Sequence, residues 1–121
     1  MSTNNKGAIM STVTRVKLPV TQEHIDGGVC NEPGECAIAL AFLDFAGLAY
    51  PAVVQVSGDG IEVWHYPSHF RLTRDANDDG WCLFIRRFDE RQSVSPTTFT
   101  LEGRDLPEWM LARIKEREAL C

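Results

Sequence analysis

The chain has 121 residues, 44% of them hydrophobic, and a formal charge of −5. That length fits one compact domain with a modest core, and no apolar run approaches the roughly 18 residues that a membrane-spanning helix needs. Between Leu18 and Phe70 there is no lysine or arginine but there are seven carboxylates: Glu23, Asp26, Glu32, Glu35, Asp44, Asp59 and Glu62. A field of that sign repels phosphate, which argues against direct nucleic-acid binding, and it attracts basic partner surfaces.

Residues 1–12 are polar with no apolar signal core, so they are expected to be a disordered tail and not a secretory leader. Four cysteines in such a chain point to free thiols in a reducing compartment, the cytoplasm. Residues 13–104 are expected to form an α+β core domain, and residues 105–121 a C-terminal helix that packs on it or extends it.

Val13 to Val20 reads as a strand with both faces partly apolar. Thr21 is placed to cap a short helix, with His24 at the position where glutamate or glutamine is usual, before Gly27-Gly28 stops it. Cys36 to Ala46 is apolar on every side except Asp44, so it must be a helix buried on every side, with Gly47 as its stop. Ala52–Val56 and Ile61–Tyr66 predict a hairpin joined by Ser57-Gly58-Asp59-Gly60. A short strand over Phe70–Leu72 is the next expectation. It is followed by an amphipathic helix over Asp79–Arg91, with Trp81, Phe84, Ile85 and Phe88 on one face. Thr97–Leu101 reads as a strand. Asp105 then reads as the cap of a last helix, Leu106–Leu120, with Pro107 in its first turn. The fold class is α+β: a small, mostly antiparallel sheet with a buried central helix and further helices packed on it. The narrow apolar stripe of the last helix (Leu106, Trp109, Met110, Ile114) suits a homodimer contact.

No motif carries an enzyme's chemistry, and neither a metal nor another cofactor is expected. His24, Cys30 and Cys36 are potential zinc ligands, but five residues between the two cysteines is not a zinc-clasp spacing. Cys36 at a helix N-terminus would gain thiolate character from the macrodipole, yet Glu32 and Glu35 beside it oppose that charge. Trp64, Tyr66, His65 and His69 cluster near Pro67 and could stack a ring. Arg71, Arg74, Arg86, Arg87 and Arg91 form a basic concentration, in which Arg87 and Arg91, one turn apart, are placed to clamp a phosphate or to pair with neighbouring acids.

Taken together, T-x-x-H-I-x-x-G (Thr21–Gly28), C-x-I-A-x-A (Cys36–Ala41), F-I-R-R-F-D (Phe84–Asp89) and V-x-P-x-x-F-x-L (Val94–Leu101) resemble a group of small bacteriophage and prophage proteins. The chain departs from the group at Ala37, where similar proteins usually have proline. The resemblance implies a phage origin and an α+β fold, and it assigns no catalytic residue. The expectation is a non-enzymatic accessory protein in the host cytoplasm, which blocks a host defence protein with a basic surface, as an anti-CRISPR inhibitor does. Glu23, Asp26, Glu32, Glu35, Asp59 and Glu62 would meet that partner. The alternative is a sponge for a nucleotide immune signal, held by Trp64, Tyr66, His69, Arg71, Arg74, Arg87 and Arg91. An enzyme using Cys36 or a metal ranks third.

Asp75-Ala76-Asn77-Asp78-Asp79-Gly80 matches the opening of a calcium loop, but its twelfth position, where a bidentate glutamate belongs, is Arg86. Calorimetry on the whole chain should detect no micromolar calcium binding. Arg86→Glu, which restores the missing ligand, should raise whatever weak affinity exists. A micromolar dissociation constant for the unsubstituted protein would contradict this reading.

Overall fold

A computed structural model describes residues 13–49, 51–76 and 80–119. The expected tail at 1–12, the centre of the calcium-like turn and Cys121 lie outside the described residues. Nine elements follow in order: β1 (Val13–Val20), α1 (Gln22–Gly27), α2 (Ala37–Ala46), β2 (Val53–Ser57), β3 (Gly60–His65), β4 (Ser68–Arg74), α3 (Gly80–Asp89), β5 (Thr97–Arg104) and α4 (Glu108–Ala119). The strands form one five-stranded sheet in the order β1-β5-β4-β3-β2, with every neighbouring pair antiparallel. This is the expected α+β architecture.

Alternation decides which way each strand faces. Val16, Leu18 and Val20 of β1 are buried while Arg15, Lys17 and Pro19 are exposed. The cross-strand register then puts Val54, Val56, Ile61, Val63, Phe70, Leu72, Phe99 and Leu101 on the same inner face. Helix α2 lies against that face with Ala37, Ile38, Ala39, Ala41, Phe42, Phe45 and Ala46 buried. Gly47 ends it in the left-handed region (φ 69°), its N–H reaching the carbonyls of Leu43 and Asp44. Trp81 of α3 is fully buried edge-on to Phe99, and its indole N–H donates to the Ser57 carbonyl at 2.8 Å. That bond satisfies the ring's one polar group.

Five details differ from the sequence reading, the first being that the strand expected at Thr97–Leu101 extends to Arg104, paired with β1 throughout. The strand expected at Phe70–Leu72 runs the full length of Ser68–Arg74, because Ser68–Thr73 pair with β3 and Arg74 pairs with Leu101 of β5. The hairpin turn is reduced to Gly58-Asp59, since Ser57 pairs with Gly60. A Cβ on Gly60 would come within 2.0 Å of the Leu72 carbonyl oxygen, so only glycine lets these backbones meet. The last helix is not capped by Asp105, a bend residue at φ 52°; the Pro107 carbonyl accepts the first helical bonds, from Met110 and Leu111. Finally, the apolar stripe of α4 is not available for a homodimer. Leu106, Met110 and Ile114 are buried in the chain's own core, and Trp109 packs edge-on against Phe70 and His65.

Phe42 is wholly enclosed between helix and sheet. Phe42→Ala should cost about 3–5 kcal/mol in denaturant unfolding, from lost transfer energy plus the cavity left behind. A loss below about 1 kcal/mol would show that α2 is not the centre of the core.

Candidate functional site

One-sided packing leaves the other face of the sheet bare among the described residues. Its rows follow from the register: Val53, Trp64 and His69 lie side by side, as do Gln55, Glu62 and Arg71, and as do Thr73, Glu102 and Arg15. Four permanent cations, Arg15, Lys17, Arg71 and Arg104, share this face with two carboxylates, Glu62 and Glu102. The face is therefore basic, although the chain is acidic.

Its side chains are held in a connected array. The Trp64 and His69 rings stack nearly parallel, 5.0 Å apart and 14° from coplanar. Since a carboxylate only accepts, the His69 Nε2 donates to Glu62 at 2.7 Å. Arg71 reaches the other Glu62 oxygen at 3.6 Å, and Arg15 pairs with Glu102 at 3.2 Å. The hydrogen bond from His69, with the Arg71 charge beyond it, holds the Glu62 carboxyl below its usual range. Val13, Arg71, Thr73, Glu102 and Arg104 line a depression of about 260 Å³ on the same face. Around the edge of β1, a larger, mostly apolar groove of about 450 Å³ is lined by Pro19, Phe45 and Ile114, with Arg15, Lys17, Arg117 and Glu118 on its rim.

On the helix side, α1 and the following loop carry Glu23, Asp26, Glu32 and Glu35, all exposed. None of the four is in an ion pair among the described residues. Their scaffold is firmly tied. His24 does the work usually given to glutamate in a capping box: its Nδ1 accepts from the Thr21 N–H at 3.0 Å, while Thr21 Oγ1 accepts from the His24 N–H. Its Nε2 meets Asp44 at 3.1 Å, joining α1 to α2. The loop is fixed to the end of α3, where the Asn31 N–H donates to Asp89 at 2.8 Å and Cys30 Sγ donates to the Phe88 carbonyl.

The residues singled out from the sequence thus fall into different places. Glu62 does not join the acidic surface; strand alternation puts it on the basic face, neutralised by His69 and Arg71. Asp59 sits in the β2–β3 turn. Of the ring-and-arginine set, Trp64, His69 and Arg71 share the bare face, and Tyr66 follows at the end of β3, 86% exposed. Arg74 instead turns its Nε–H to the Gly58 carbonyl, and Arg87 and Arg91 lie on or just after α3, on the helix side. Arg15, Lys17 and Arg104 went unnoticed, although the alternation of Arg15 and Lys17 with Val16 and Leu18 was there to be read.

His24, Cys30 and Cys36 keep separate partners, and among the described residues no three ligating side chains are close enough to hold a metal. Cys36 borders a largely apolar cavity of about 160 Å³. Burial pushes its thiol up, outweighing the backbone N–H groups of Ala39 and Ile38 that would favour a thiolate. No helix among the described residues is long and apolar enough to cross a membrane. No family model, curated protein or solved structure matches the chain.

Cys82 is exposed, Cys30 half-buried and Cys36 buried. Alkylation of the native protein, followed by peptide mass spectrometry, should modify them in that order. Equal rates for Cys82 and Cys36 would contradict the burial that keeps Cys36 unreactive.

Proposed function

We propose that the protein is a non-enzymatic accessory protein, of the phage kind its motifs resemble, that binds and blocks a basic host defence protein with the acidic surface of α1 and its following loop. The observation that carries this reading is the exposure of Glu23, Asp26, Glu32 and Glu35 with no ion pair among the described residues, on a scaffold held by the His24–Asp44 and Asn31–Asp89 bonds. Carboxylates already neutralised within the chain have little field left for a partner. These four keep theirs. A scaffold fixed in advance also lowers the ordering cost of association. The surface would lie in a groove that otherwise takes the phosphates of a nucleic acid, drawn there by opposite charge.

A sponge for a nucleotide signal is the second reading, favoured by the Trp64–His69 stack with Arg71 beside it. Against it stands the position of Arg74, Arg87 and Arg91 away from that face.

The test is protection of an infecting phage in a defence-bearing host expressing the protein, together with association kinetics on the captured partner. Reversing Glu23, Asp26, Glu32 and Glu35 to lysine should abolish protection, slow association and flatten its salt dependence, with the circular dichroism unchanged. Reversing Arg87 and Arg91 to glutamate should leave all three as they were. Full protection by the acidic-reversal variant would overturn the proposal.

A further inference from the structure

The bare sheet face remains unexplained by a blocker that works through α1. We propose that it is a docking surface for single-stranded RNA. Three observations point there.

The first is charge. Arg15, Lys17, Arg71 and Arg104 gather on one face of a chain whose net charge is −5, so the fold concentrates cations that the composition conceals. Each ion pair on the face leaves donors over: the Arg15 and Arg71 side chains are 66% and 64% exposed while contacting Glu102 and Glu62. A guanidinium has five N–H donors, so one edge can be held by a carboxylate while another meets a phosphate. The pairs thus set the cations in position and do not use them up.

The second is a ready-made stacking platform. Trp64 and His69 form a two-ring stack on the open face, and β4 pairs with β5 only over Leu72–Arg74. The row of His69 therefore has no β5 neighbour, and a base can extend the stack on that side. Base–aromatic stacking accepts any base, because every base has a π-face. An open sheet carrying aromatic rings and flanking cations is a geometry well suited to unpaired strands, and a duplex, its bases already stacked, cannot use it.

The third concerns length and sugar. From Trp64 on β3 to Arg15 on β1 there are three strand spacings across the sheet, on the order of 14 Å, and four residues along it, on the order of 13 Å, with Lys17 two residues further on. That reach suits a chain of nucleotides rather than one. Between the rings and Lys17 lie the hydroxyl of Thr73 and the carboxylates of Glu62 and Glu102, with the Thr100 hydroxyl level with Lys17. Thr73 donates to the Glu102 carbonyl at 3.2 Å, which leaves its oxygen lone pairs as acceptors. Acceptors among the phosphate contacts match a 2′-hydroxyl, which RNA has and DNA lacks.

The experiment is fluorescence anisotropy with dye-labelled, mixed-sequence RNA 12-mers at low and physiological salt, alongside DNA of the same sequence and the RNA duplex. The wild-type chain should bind the RNA strand, with affinity that falls as salt rises. Trp64→Ala should weaken binding on the order of tenfold, as expected for one lost stacking partner, and Trp64→Phe should restore most of it. Arg15→Glu with Arg71→Glu should reduce both affinity and the salt slope, while Arg87→Glu with Arg91→Glu should change neither. These outer-face variants should still protect phage if the blocker reading holds, so the two proposals fail separately. Absence of binding at low salt, or RNA binding indifferent to Trp64 and the outer-face arginines, would overturn the proposal. So would equal affinity for the DNA strand or for the duplex.

Discussion

Helix α2 has to be enclosed. Nine of its ten residues would expose apolar surface, and burial of that surface, at roughly 25 cal/mol per Å², is the dominant gain available to so small a chain. The sheet can enclose the helix from one side only, so the strands turn most of their apolar residues the same way and α1, α3 and α4 close around the rest. Among the described residues nothing is left to cover the far face. Its polar and charged residues are the necessary complement of the core, since side chains alternate across a strand.

From this constraint follows the separation of charge. The carboxylates of α1 and its loop fall on the helix side, whereas Arg15, Lys17, Arg71 and Arg104 fall on the sheet side. A formal charge of −5 therefore describes neither surface. The ties that hold each side are short-range: His24 between Thr21 and Asp44 on one, His69 between Trp64 and Glu62 on the other. Two histidines thus serve as joints.

The elements that depend on local chemistry were legible in the sequence. The all-apolar run announced α2, Gly47 its end, and Gly58-Asp59-Gly60 the hairpin. What escaped depends on contacts between distant segments. The length of β4 is set by β3, and the start of α4 by a Pro107 carbonyl rather than by the more obvious Asp105 side chain. The site suffered most. Charge summed along a stretch of chain groups Glu62 with Glu35, but a strand presents alternate residues to opposite faces. Only the register shows that Glu62 lies beside Arg71, and that Arg15 and Arg71, far apart in the chain, belong to one surface.

The central claim is that a single sheet has one sealed face and one open face. Hydroxyl-radical footprinting of the free protein, read residue by residue by mass spectrometry, measures this directly. Along β3 and β4, Trp64 and His69 should be oxidised readily, while Val63, Phe70 and Leu72 are protected along with Trp81 and Phe42. Protection of Trp64 to the same degree as Trp81 would mean that the outer face is covered, and the account built on its exposure would be wrong.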